Sequence, residues 1–176
     1  MTREESIAFY KEHARWLFNI SLRIVREPAL AEEIMQDTIL KALRQTHGPE
    51  GNRKLPERAW LAKTCIRASI DALRKIKRER LFLDEYASDG APEYFSPADS
   101  DIPEERLSVN KIKAAIESLS DPYRLILNLI LIEGLDYEEI SSITGEREGT
   151  LRTQYSRARK MLAARLMAGQ EGLKGK

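Results

Sequence analysis

The sequence predicts an all-α fold: two small helical domains joined by a flexible acidic linker, the second domain carrying a helix-turn-helix. Three observations lead there. Apolar residues recur at three- and four-residue steps through most of the 176-residue chain, and no stretch of strand-like alternation competes with them. That periodicity stops near residue 84 and resumes near 107, with Gly90, Pro92, Pro97 and Pro103 between, as in an extended linker. Last, a short helical pattern, a glycine and a longer cationic helical pattern follow one another from Asp136 to Leu162, the order of a helix-turn-helix. The expected boundaries are 1–83 for the first domain, 84–106 for the linker, 107–168 for the second domain and 169–176 for a frayed tail.

The elements follow in order. From Glu4 to Arg26 the positions Ile7, Tyr10, Ala14, Leu17, Ser21 and Ile24 share one helical face, which is taken as the buried one. Pro28 opens a second helix, where its fixed φ and missing donor do no harm. There Leu30, Ala31, Ile34, Met35, Thr38, Ala42 and Leu43 form the inner side, and Glu33, Gln36, Asp37 and Lys41 the outer. The stretch HGPEGN breaks the pattern. A third helix then runs from about Pro56 through Trp60, Leu61, Thr64, Ile70 and Leu73 into a basic cluster, with Trp60 assigned to core packing by its apolar neighbours. After the linker come Leu107 to Leu119, Pro122 to Glu133 with the proline at the first helical position, Tyr137 to Thr144, and Glu148 to about Met167.

Charge is unevenly spread along a chain whose formal net charge is only +1. Residues 67 to 80 hold six basic side chains against two acids, residues 84 to 105 hold eight acids and no Lys or Arg, and residues 147 to 165 hold six basic side chains against one acid. Two cationic helices therefore flank an acidic strap, a distribution that suits nucleic acid better than the net charge does. Composition narrows the remaining classes. The single cysteine, Cys65, allows no internal disulfide and fits a reducing cytoplasm. With only two separated histidines, no metal site or other cofactor is expected. No apolar run has the length of a membrane span or the build of a signal peptide, so a cytoplasmic protein without membrane insertion is expected. No nucleophile–base pair or Gly-rich phosphate loop can be assembled, and the chain is not read as an enzyme.

The helix-turn-helix is the most explicit local pattern. Asp136 can cap a short helix with Glu139 three residues on, while Tyr137, Ile140 and Ile143 point inward. Gly145 suits the left-handed turn that ends it. The last helix then turns Leu151, Tyr155, Ala158 and Leu162 toward the core and leaves Arg152, Thr153, Ser156, Arg157 and Lys160 on the other side. Such a face can enter a major groove, where arginine bonds guanine bidentately and cations displace condensed counterions.

With these residues identified, nearly the whole chain resembles a bacterial RNA polymerase sigma factor of the extracytoplasmic-function (ECF) group. The stretch GTLRTQYSRARKML, behind DYEEI and a glycine turn, resembles the family's promoter-reading signature. AEEIMQDTILKAL resembles its core-polymerase-binding helix, and RAWLAKTCIRASIDALRKIKR its helix for the minus-ten element. The resemblance implies promoter-specific transcription initiation, with core RNA polymerase and promoter DNA as partners and an anti-sigma factor as restraint. Residue by residue, it implies that Glu33, Gln36 and Asp37 touch the coiled coil of the polymerase's largest subunit. Lys63, Arg67, Arg74 and Lys77 would hold the minus-ten region, and Asn52, Arg53 and Lys54 would receive an unstacked base. Arg152, Thr153, Ser156, Arg157 and Lys160 would face the minus-thirty-five element.

Three positions depart from the family pattern. Arg67 stands where an Asn is frequent, Glu146 and Arg147 replace an apolar residue and a Ser cap in the turn, and GQEGLKGK follows the last helix. A stand-alone helix-turn-helix regulator shares the C-terminal pattern, but it has no use for the AEEIMQD helix. A helical adaptor is the remaining alternative of another class.

Overall fold

The computed structural model describes residues 2–45, 56–84 and 104–171, with side chains over 2–45, 56–79 and 109–167. The chain divides into two compact units, Met1–Phe95 and Ser96–Lys176, and the described residues are helical without a strand. Most of the acidic linker, the HGPEGN stretch with Asn52, Arg53 and Lys54, and the end of the tail lie outside the described residues.

The first unit packs α1 (Arg3–Val25), α2 (Pro28–Gln45) and α3 (Arg58–Asp84) against one another. Thr2 starts α1 through a capping box: its hydroxyl accepts from the Glu5 N–H at 3.1 Å and its own N–H donates to the Glu5 carboxylate at 2.7 Å. The α1–α2 corner is made by two residues. Arg26 takes φ 62°, unusual for a side chain with a Cβ, and its N–H closes on the Leu22 carbonyl at 2.9 Å. Glu27 then turns its carboxylate onto the free amides of Ala29 and Leu30 at 3.0 and 2.7 Å, so α2 begins already capped, with Pro28 in its first turn.

The buried side of α2 is as the apolar spacing predicts at Ala31, Ile34, Met35, Thr38 and Ala42, with Ile39 added and Leu30 and Leu43 only half-buried. Along α1 the inner face is right from Leu17 onward and wrong before it. Ile7 and Tyr10 are 45% and 43% exposed, and Phe9 is buried in their place. Going back from Leu17, steps of four reach His13 and Phe9, whereas steps of three and four reach Ala14, Tyr10 and Ile7. Both rows satisfy helical periodicity, and only the packing of α2 and α3 on α1 selects between them. His13, packed edge-on against Phe9 with ring centroids 4.6 Å apart, continues that row, and the Arg58 guanidinium caps it by lying 4.2 Å over the Trp16 ring. Trp60, assigned to the core, is half-buried. The α1–α3 seam is lined by small polar groups. The Ser69 hydroxyl bonds the Cys65 carbonyl at 2.8 Å and shares a hydrogen bond with Ser21 at 3.0 Å, all three residues being buried, so close approach of the helices leaves neither hydroxyl unsatisfied.

The second unit contains α4 (Glu104–Glu117), α5 (Asp121–Leu127), a π-helical turn (Asn128–Ile132), α6 (Tyr137–Thr144) and α7 (Glu148–Glu171). Four boundaries differ from the sequence reading, the end of α4 at Glu117 instead of Leu119 being one of them. α4 starts at Glu104, before its first apolar residue, because acids suit the positive end of a helix. Pro122 is the second rather than the first helical residue: Ser120 is the cap, its carbonyl accepting from Arg124 N–H at 3.0 Å. α7 continues to Glu171, into the segment assigned to the tail, since Gln and Glu are good helix formers and the one glycine, Gly169, costs only about 1 kcal/mol.

The expected single helix from Pro122 to Glu133 is two pieces. At Asn128 the turn widens, and Glu133 N–H reaches back five residues to the Asn128 carbonyl at 3.0 Å. The shift of register buries Ile126, Leu127, Asn128 and Leu129 in succession and leaves Leu131 48% exposed. A stretch that is apolar on every side has no single-face period to reveal such a turn.

α6 and its turn form as their residues dictate. Asp136 accepts from Glu139 N–H at 2.8 Å and its own N–H donates back to the Glu139 carboxylate at 3.2 Å, while Gly145 ends the helix at φ 76°. We expect Asp136→Ala to lower the stability of the second unit by about 1 kcal/mol, read as a shifted denaturation midpoint at unchanged slope. An unshifted midpoint means that the box contributes nothing.

Candidate nucleic-acid interface

α7 crosses the second unit with Leu151, Ala158 and Leu162 buried against its neighbours. Its first turn is fixed by the residues of the turn before it. Thr144 Oγ1 accepts from the Glu146 N–H at 3.1 Å, and the Glu146 carboxylate accepts from Gln154 Nε2 at 3.0 Å, eight residues on. Glu146, a departure from the family pattern, thus ties the turn to the helix.

The five candidate side chains Arg152, Thr153, Ser156, Arg157 and Lys160 are all exposed. They do not form one narrow stripe. At about 100° per residue, Arg152 and Arg157 lie about 140° apart, with Thr153, Ser156 and Lys160 between them. The Arg152 edge faces α6, and its guanidinium is held there twice. It lies 4.6 Å over the Tyr137 ring and bonds the Glu148 carboxylate at 3.0 Å. Tyr155 meets Tyr137 edge-on with centroids 6.2 Å apart, and Arg159 lies 5.8 Å over Tyr155. Tyr137 and Tyr155, read from spacing as core residues, are half-buried: the two rings meet edge-on and each has an arginine over it. The Arg159 position was missed because spacing alone does not tell which flank of α7 meets α6.

On α3, Arg67, Arg74 and Lys77 are exposed and Lys63 is half-buried. At about 100° per residue the four fall within about 80° of one another, opposite the side that buries Leu61, Cys65 and Ser69. One acid, Asp71, interrupts the row, 3.8 Å from Arg74 with both side chains about half exposed or more, a pairing worth little in water. The face stays strongly cationic.

On α2, Glu33, Gln36 and Asp37 are exposed on a helix whose opposite side is fully packed. Gln36 Nε2 donates to the Glu32 carboxylate at 3.2 Å, which extends the polar ridge by one residue. Among the described residues no His, Cys, Asp and Glu side chains are grouped to hold a metal ion, and no helix is long and apolar enough to cross a membrane.

These surfaces can be set beside known proteins. The family model "Sigma-70 region 2" matches residues 9–79 and "Sigma-70, region 4" matches residues 110–162. The ECF RNA polymerase sigma factor SigL of Mycobacterium tuberculosis is 30% identical over 149 residues, covering 84% of this chain and 80% of SigL. RNA polymerase sigma factor SigV of Bacillus subtilis is 29% identical over 158 residues, covering 88% and 87%. Among solved structures, the sigma factor RpoE of Bartonella quintana, in complex with the anti-sigma factor NepR, superposes with a TM-score of 0.58 at 25% identity, covering 94% of this chain and 96% of that one.

Proposed function

The chain belongs to the ECF group of RNA polymerase sigma factors, and from that premise we propose how its surfaces share the work of promoter-specific transcription initiation. It binds core RNA polymerase and directs it to promoters by reading the minus-ten and minus-thirty-five elements. Glu33, Gln36 and Asp37 on α2 form the contact with the polymerase coiled coil. Lys63, Arg67, Arg74 and Lys77 on α3 hold the minus-ten region, with Asn52, Arg53 and Lys54 in the preceding segment for the unstacked base. Arg152, Thr153, Ser156, Arg157 and Lys160 on α7 address the minus-thirty-five element.

The observation that carries this division is the coexistence of two surfaces of opposite sign on the first unit: an acidic ridge on α2 and a cationic row on α3. DNA cannot use the acids and gains from the cations. A second macromolecule for the ridge follows from the same charges. The chain supplies no chemistry of its own, polymerisation being the polymerase's, and it works in the cytoplasm, where the template is. An anti-sigma partner belongs to the same reading, since RpoE of Bartonella quintana is found in complex with one.

Purified protein, core polymerase and promoter DNA together are expected to give a specific run-off transcript that neither protein gives alone. Tight binding of a duplex operator by the isolated protein, with no transcript, would mark it as a self-sufficient helix-turn-helix regulator.

A further inference from the structure

The α6 flank of α7 has a construction that a solvated helix face does not need. Two tyrosines from different helices meet edge-on, and each carries an arginine over its ring: Arg152 on Tyr137 at 4.6 Å and Arg159 on Tyr155 at 5.8 Å. Together with Ser156 and Lys160 they line an open groove of about 530 Å3. Arg152, Arg159 and Lys160 put three cations on this groove, and Arg152 also bonds the Glu148 carboxylate at 3.0 Å. The groove has a surplus of positive charge and donors, the complement of a phosphodiester oxygen.

We propose that this groove grips the phosphate backbone of the duplex entered by α7, with Tyr137 and Tyr155 as positioning residues that hold Arg152 and Arg159. The inference rests on the promoter-reading function of α7 and assigns Arg152 to backbone contact instead of base readout. Geometry separates the two roles. Thr153 and Lys160 mark the centre of the exposed face, which meets the floor of a major groove when α7 lies in it. Arg152 and Arg159, about 80–120° away on the α6 flank, meet the wall where the phosphates are, Ser156 and Lys160 forming the rim that the two share. An arginine free in water loses rotamer freedom when it binds. Stacking on a tyrosine removes much of that freedom beforehand and leaves the guanidinium edge open. Glu148 completes the arrangement by bonding one Nη2 donor, which fixes the rotation of the plane; the other N–H groups of Arg152 point elsewhere.

The test uses the whole chain bound to core polymerase, with promoter affinity measured against salt on two templates, one with its minus-thirty-five element intact and one with it scrambled. Tyr137→Leu, which keeps an apolar side chain and removes the π face, is expected to weaken both templates about two- to fivefold, while Tyr137→Phe restores wild-type binding. Arg159→Gln, on the exposed surface where folding does not depend on it, is expected to reduce the slope of log affinity against log salt by about 1 on both templates. The clamp is overturned if Leu and Phe variants bind alike, if the Arg159→Gln slope is unchanged, or if either loss is confined to the intact element. An effect of Arg159→Gln on capture of an acidic protein partner, with DNA binding unchanged, would likewise overturn it and assign the groove to that partner. Failure of the promoter-reading function looks different: wild-type holoenzyme itself then shows no preference for the intact template, and the clamp falls with it.

Discussion

Glu33→Lys combined with Asp37→Lys abolishes retention of core RNA polymerase by the tagged protein while the three-helix unit keeps its fold. The two acids are exposed and one helical turn apart on α2, so their reversal changes the ridge from two negative charges to two positive ones. A cationic partner surface that gains from the first arrangement is repelled by the second, and like charges opposed across an interface cost several kcal/mol. Against a complex of ordinary affinity, each 1.4 kcal/mol being tenfold, that is loss of detectable binding. The fold has no stake in the change. Lysine is as good a helix former as glutamate, the positions are mid-helix and away from the dipole ends, and the core side of α2 at Ile34, Met35 and Thr38 is untouched. Circular dichroism should therefore be unaltered while polymerase is absent from the eluate. Polymerase retained at wild-type level removes Glu33 and Asp37 from the interface.

How much of this was legible in the sequence depends on whether the deciding interaction is local. The cap at Asp136 and the left-handed Gly145 were readable because both partners lie within a few residues and residue type alone determines the geometry. The packed side of α2 was readable because Ala31, Ile34, Met35, Thr38 and Ala42 admit only one helical face. Phe9 was not, since two rows through Leu17 are equally periodic and the packing of the other helices chooses between them. The candidate DNA face of α7 was legible as a set of residue types and illegible as a surface. Its division into a base-facing centre and an arginine-carrying flank needs the position of Tyr137, which belongs to another helix. Asn52, Arg53 and Lys54 rest on the family resemblance alone.

Arg124 shows the same limit in the core, and it supports the second large effect. Its side chain is 1% exposed, inside the second unit, in a largely apolar stretch that also buries Asn128. The guanidinium bonds the Asp121 carboxylate at 2.8 Å and lies 3.6 Å from the Glu117 carboxylate at the end of α4. The i,i+3 spacing of Asp121 and Arg124 could have flagged one pair, but Glu117 belongs to the preceding helix and no periodicity points to it. Because the charge is enclosed, truncating one partner costs more than the pair is worth: Arg124→Ala leaves a cavity together with two carboxylates whose counter-charge has gone. We expect a loss of about 3–5 kcal/mol, comparable to the whole stability of a small helical domain. The second unit should unfold under conditions where the wild type does not. Transcription from promoters that need the minus-thirty-five element should then disappear, while the α2 surface still retains core polymerase. Arg124→Met separates charge from volume. It fills most of the space and lets Asp121 and Glu117, each about one-third exposed, turn to water, so it should cost clearly less than Arg124→Ala. If both substitutions leave the denaturation midpoint where it was, the buried cation is not holding α4 to α5. If Met is as damaging as Ala, the ion pairs rather than the packed volume account for the stability that Arg124 supplies.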